Sequence, residues 1–167
     1  MSKFNLFALF ILFAASLAAP SAWCNSSEIG SPPPRFGLGV QNTFPSNGIS
    51  GVVRLDNDLS IQGIIDPFGI LKTYSGRILY AFNEEKEYEL YAYGSVGAWS
   101  YSDVFYTETA LGFGGGIGIE WDWRNYRNTL PPVYWNAELG LGFAGFDVVS
   151  YNLNTLWIGV GAHYRFD

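Results

Sequence analysis

The last eleven residues before the terminal aspartate, Leu156 to Phe166, alternate without a break. Leu156, Ile158, Val160, Ala162, Tyr164 and Phe166 fall on one side of an extended chain, and Trp157, Gly159, Gly161, His163 and Arg165 on the other. Successive side chains of a strand point to opposite faces, so a period of two marks a strand with one apolar face. Two further stretches repeat the scheme. Val133, Trp135, Ala137, Leu139, Leu141 and Phe143 oppose Asn136, Glu138, Gly140, Gly142 and Ala144. Leu111, Phe113, Ile117, Ile119, Trp121 and Trp123 oppose Glu108, Gly112, Gly114, Gly116, Gly118, Glu120 and Asp122. No helical period of 3.6 competes with this pattern after Arg35.

Earlier strands are read at Arg35–Thr43 (Phe36, Leu38 and Val40 on the apolar face), Ile49–Leu55, Leu59–Ile65, Thr73–Phe82 and Tyr88–Tyr101. In the fourth, Tyr74, Ile78, Tyr80 and Phe82 oppose Ser75, Arg77 and Leu79. The fifth carries aromatics on both faces, and its direction is open. Turn signals separate them, among them Pro45-Ser46-Asn47-Gly48, Asp56-Asn57-Asp58 and Asp66-Pro67-Phe68-Gly69. Eight strands spaced this way match tilted membrane strands of ~9–11 residues joined by turns.

Composition decides which face is wet. Only 14% of the residues are charged and 49% are hydrophobic, against about 25% charged in an ordinary soluble domain. A soluble barrel would carry Lys and Glu along its outer face. Here the polar face is crowded with glycines, which suit the narrow inside of an eight-stranded barrel. The apolar face is therefore expected to meet lipid, with every backbone group satisfied by closure. The predicted fold class is all-β: an eight-stranded antiparallel up-and-down transmembrane β-barrel spanning residues 35–167.

Aromatics fall at strand ends, as bilayer interfaces select. With both chain ends on one side, one rim is predicted to carry Tyr80, Phe82, Tyr88, Trp121, Trp123, Tyr134, Trp135, Tyr164 and Phe166. The other is predicted to carry Phe68, Tyr74, Trp99, Tyr101, Phe105, Tyr106, Phe143 and Tyr151.

The N-terminus has Lys3, then an apolar run from Phe4 to Ala19, then Ala-Pro-Ser-Ala at 19–22. A positive start, a short apolar core and small residues make a cleaved secretory signal, predicted at 1–22. Residues 23–34 read as a flexible lead-in. Trp23 stands where a lipoprotein signal needs a small residue, so Cys24 is read as inert. One Cys and one His exclude a disulfide scaffold and a Cys/His metal cluster, and a net charge of −6 argues against nucleic acid.

The export signal, the glycine-aromatic meander and the ending Ile158-Gly159-Val160-Gly161-Ala162-His163-Tyr164-Arg165-Phe166 resemble the small outer-membrane protein β-barrel domain family of Gram-negative bacteria. Thr73-Tyr74-Ser75-Gly76-Arg77 and Asn136-Ala137-Glu138-Leu139-Gly140-Leu141-Gly142-Phe143 share that character. The resemblance implies residence in the bacterial outer membrane, among outer-membrane lipid and lipopolysaccharide. It also implies that Ile158, Val160, Ala162, Tyr164 and Phe166 form the signal read by the barrel-assembly machinery. Its members include structural, adhesive, pore-forming and enzymatic proteins, so it leaves the role open.

Inward-facing Arg54, Arg77, Glu108, Glu120, Glu138, His163 and Arg165, with Asp122 as a further candidate, form the most suggestive polar set. Charges in so narrow a barrel are expected to pair across strands, giving a plugged lumen. The predicted role is structural or surface-interacting and non-enzymatic, with no cofactor or metal. Two alternatives remain: a lipid A-modifying hydrolase using His163 as base, and a small solute or ion pore. The Gly112-Phe113-Gly114-Gly115-Gly116 run is not a phosphate loop, because no helix or Lys follows it.

Overall fold

Each strand pairs antiparallel with the next in sequence, and the eighth returns to pair with the first. The computed structural model describes residues 34–68, 70–85, 87–102, 107–144 and 155–167. The strands are β1 (Phe36–Thr43), β2 (Ser46–Arg54), β3 (Leu59–Asp66), β4 (Leu71–Glu84), β5 (Glu89–Ser102), β6 (Thr107–Asp122), β7 (Val133–Ala144) and β8 (Thr155–Phe166). Together they form one closed barrel in sequence order. The β1–β8 seam is fully laddered from Phe36↔Phe166 to Thr43↔Gly159, so no strand edge is left open.

The alternation read from β6, β7 and β8 holds in three dimensions. Among the described residues, sixteen polar or charged residues are buried against nine hydrophobic ones, the reverse of a soluble domain. Outside lie Leu38, Val40, Ile49, Ile65, Ile78, Val96, Leu111, Phe113, Ile117, Leu139, Leu141 and Ile158, all exposed. The open direction of β5 resolves with Tyr91, Tyr93, Ser95 and Trp99 inside.

An eight-stranded barrel has an interior just wide enough for side chains to fill it, and here rings and glycines share that space. The Trp157 ring lies where side chains on Gly114 and Gly142 would stand, and Tyr91 lies over Gly118. A Cβ on Gly97 would meet Trp99 Cη2 at 2.9 Å. One on Gly140 would meet the Tyr93 hydroxyl at 2.5 Å. Gly114 and its cross-strand partner Gly142, with Gly118 and Gly140, are therefore a floor for aromatic rings, while Gly116 lets the β7 backbone come close.

Several boundaries differ from those read in the sequence. Strands β4, β5 and β6 are longer (14, 14 and 16 residues) than β1 to β3 (8, 9 and 8). One wall of the barrel is thus tall and the other short. Trp123 is not in β6 but opens a 3-10 turn, Trp123–Asn125. Asp122 caps that turn, its carboxylate accepting from the Arg124 backbone N–H and Nε, both at 2.8 Å. The side-chain bond to the Asp122 carboxylate holds the Arg124 guanidinium above its ordinary pKa. A register shift between Ala81 and Asn83 marks a bulge at Phe82, which is exposed. The predicted signal at 1–22 and the lead-in up to residue 33 lie outside the described residues. So do Phe105, Tyr106, Tyr151 and the β7–β8 connection.

Candidate functional site

The lumen is the one place where the described residues concentrate polar chemistry, and alternation is what aims those groups inward. They occupy three levels. Nearest the start of β1 and the end of β8, Arg165 Nη2 donates to both oxygens of Glu120, at 2.6 and 2.8 Å. Arg54 donates to Glu89 Oε2 at 2.8 Å and to the Asn57 carbonyl at 2.7 Å. The Arg165 guanidinium also sits 5.2 Å from the Tyr134 ring centroid, within cation–π range.

At mid-barrel, Arg77 Nη1 donates to Glu138 Oε2 at 2.8 Å, and neither side chain has any exposed surface. Glu138 also accepts from Thr43 Oγ1 at 2.7 Å and from the Tyr91 hydroxyl at 2.8 Å. One carboxylate thus ties β1, β4, β5 and β7 together. Beside it, the carboxamides of Gln41 and Asn136 exchange two bonds of 3.1 Å. Gln62 Nε2 donates to Ser50 Oγ at 2.8 Å, and Ser50 Oγ and His163 Nε2 share a hydrogen bond of 2.9 Å. Above this, Trp99 and Trp157 are 0% exposed and meet edge-to-face with centroids 6.2 Å apart.

Of the inward set named from sequence, Arg54, Arg77, Glu120, Glu138, His163 and Arg165 are buried in the lumen. Glu108 lies at the far end of β6, half-buried and opposite Tyr101. Asp122 pairs with Arg124 at 2.7 Å rather than with a lumen residue. Glu89, Gln41, Gln62, Ser50, Tyr91 and Asn136 belong to the same network, and sequence reasoning does not single them out as partners. Glu89 and Tyr91 sit on β5, whose direction alternation alone does not give.

Tyr80, Phe82, Trp121, Trp123, Trp135 and Tyr164 gather at the end of the barrel where β1 begins and β8 ends. Tyr80, Phe82, Trp123 and Tyr164 are exposed there, and Trp121 and Trp135 are half-buried. Trp123 and Trp135 meet edge-on at 5.7 Å. Three residues assigned to the belts lie elsewhere. Trp99 is fully inside, Tyr101 packs against the inner aromatic cluster, and Tyr134 turns inward over Arg165. Aromatics favour strands on either face, so type alone could not separate them. Ile158, Val160, Ala162, Tyr164 and Phe166 form the outward face of β8 along the closing seam.

Ser50 Oγ and His163 Nε2 are at hydrogen-bonding distance, but both residues are 0% exposed. Among the described residues, His163 Nδ1 meets no carboxylate to orient it.

These features define the class: a small closed β-barrel with a polar, ion-paired interior and an apolar, aromatic-rimmed exterior. No family model and no curated protein matches the chain. Among solved structures it is similar to the crystal structure of Neisserial surface protein A, at 16% identity and a TM-score of 0.46. That likeness covers 78% of this chain and 93% of the other.

Proposed function

We propose that this is an exported outer-membrane barrel with a structural or surface-interaction role, its lumen closed to solutes and its wall in contact with outer-membrane lipid. The observation that carries the reading is the inversion of burial. Leucines, isoleucines and phenylalanines cover the wall while arginines and glutamates are buried. Water outside would make that wall a costly surface, whereas a bilayer makes it the favourable one.

Leu139, mid-way along β7 and 48% exposed, tests the solvent directly. Leu139→Arg in a bilayer is expected to cost about 2–4 kcal/mol near the midplane. In a water-exposed barrel it would be neutral. Unfolding in urea from lipid vesicles, followed by the loss of fast migration on unheated gels, measures the difference. An unchanged midpoint would sink the membrane reading.

The non-enzymatic part of the proposal is supported by the inaccessibility of Ser50 and His163. The closed lumen is supported by three ion pairs that match guanidinium to carboxylate one for one, beneath the Trp99–Trp157 pair. In planar bilayers the purified protein is expected to give no stable conductance step. A reproducible large step would establish the pore alternative instead.

A further inference from the structure

Three connections lie at the rim where β1 begins and β8 ends. Two of them, 55–58 and 85–88, have four residues each, whereas 123–132 has ten. The long one is pinned in place. Asp122 caps its 3-10 turn, the Tyr126 N–H donates to the Trp123 carbonyl at 3.1 Å, and Asn125 Nδ2 donates to the Glu87 carbonyl at 2.8 Å. So held, the turn sets Trp123 and Tyr126 beside the cross-strand pair Trp121↔Trp135 on the outer wall. Trp123 and Tyr126 are exposed there.

These four rings wall one end of a trough of about 650 Å³ on the outer surface. Its floor follows a single cross-strand row, Trp121↔Trp135↔Ala162↔Val40↔Ile49↔Ile65. The small side chains of Ala162 and Val40 keep the middle of that floor low. Five strand spacings of about 4.8 Å give a path of about 24 Å, long enough for one extended fatty acyl chain. Because the strands of a barrel are tilted, the row climbs the wall obliquely from the aromatic rim. Its far end reaches the opposite rim, where Asn47 and Asp66 line it beside the β1–β2 hairpin turn.

Shape and charge select the occupant. The wall of a second barrel is convex and would bridge the trough, whereas a single flexible chain fills it. Trp and Tyr favour the level of a bilayer where acyl chains meet headgroups, and here they stand at one end only. Arg127 follows Tyr126 in the chain and is exposed, and no carboxylate pairs with it among the described residues. It offers a guanidinium to a phosphate at that same rim.

We propose that the trough is a binding site for one phospholipid. One acyl chain lies along the Ala162–Val40 row, the ester region sits among Trp123, Tyr126 and Trp135, and the phosphate meets Arg127. This assignment rests on the membrane reading above and adds to it one lipid held at a fixed place.

The test adds dioleoyl phosphatidylglycerol to the delipidated, detergent-solubilised barrel and reads retention by native mass spectrometry. One lipid per barrel is expected to survive activation that strips the rest. Val40→Trp raises the floor at mid-trough and is expected to lower retention roughly tenfold, the weight of about two methylenes losing their seat. Ile117→Trp puts the same bulk on the outer wall away from the trough and is expected to leave retention unchanged. Arg127→Gln is expected to lower retention roughly tenfold, as for one charge-assisted hydrogen bond. It should leave retention of dioleoylglycerol, which has the chains and no phosphate, as it was. Fast migration on unheated gels checks that each variant folds, and Arg127→Gln, outside the strands, carries the test if Val40→Trp does not. A graded spread of lipids with no single one retained would overturn the assignment. So would equal losses in Val40→Trp and Ile117→Trp, an undiminished Arg127→Gln, or a lipid-free dimer that Val40→Trp splits. Failure of the membrane reading itself shows separately, as an unchanged Leu139→Arg midpoint.

Discussion

Glu138→Ala is expected to destabilise the barrel by about 3–5 kcal/mol. Removing the carboxylate leaves the Arg77 guanidinium buried with no counter-charge, and both side chains have no exposed surface to relax into. It also strands the Thr43 and Tyr91 hydroxyls, which donate to the same carboxylate. Urea unfolding from vesicles, followed by tryptophan fluorescence, measures the loss. Arg77→Met added to Glu138→Ala is expected to recover much of it, because the cost lies in the orphaned charge rather than in the missing attraction. A double variant as unstable as Glu138→Ala alone would show that Glu138 acts through its hydroxyl partners instead.

The second large effect concerns Gly142. A side chain there would stand inside the Trp157 ring, and the three nearest atoms all belong to that ring. Gly142→Ala is therefore expected to cost about 1–3 kcal/mol or more, and Trp157→Ala about 3–5 kcal/mol through the cavity it leaves. Together they are expected to be far from additive. With the ring gone, a methyl group at position 142 has room, and a coupling of about 1–3 kcal/mol should appear in the cycle. Gly114 is the control. A Cβ there would also approach the Leu141 carbonyl oxygen at 2.7 Å, so Trp157→Ala should rescue Gly114→Ala much less. Equal rescue at both positions would mean that the ring, not the neighbouring strand, sets the spacing of β6 and β7.

The two variants sample different layers of one lumen, and that division shows what the sequence carries. The strands β6, β7 and β8 are legible because large apolar residues alternate there with glycines and charges. One face is then unmistakably wrong for water. Strand β5 is not legible in the same way. Tyr91, Tyr93 and Trp99 alternate with Leu90, Val96 and Ala98, so the period survives but residue type does not say which face turns inward. Packing decides it, because the glycines of β6 leave room for rings only on the inner side. The belt assignments of Trp99 and Tyr101 fail for that reason, whereas Tyr134 on β7 is in phase with the inward Asn136 and Glu138.

The charged residues follow the same rule. Alternation places Arg54, Arg77 and Arg165 inside, together with Glu120 and Glu138. Their pairing depends on stagger and on which strands come opposite across the lumen. Arg77 of β4 reaches Glu138 of β7, 61 positions away in sequence, and Arg54 of β2 finds Glu89 of β5. Nothing in the order of residues specifies those distances.

What the sequence by itself determined is the strand period, the glycine-lined face and the shortage of charge, and with them a closed barrel turned inside out. These are local properties, because one strand repeats every two residues wherever it sits. Only the tertiary structure decided which ring lies over which glycine and which guanidinium meets which carboxylate. Each of those depends on the register in which separate strands meet, and closing the barrel sets all the registers at once.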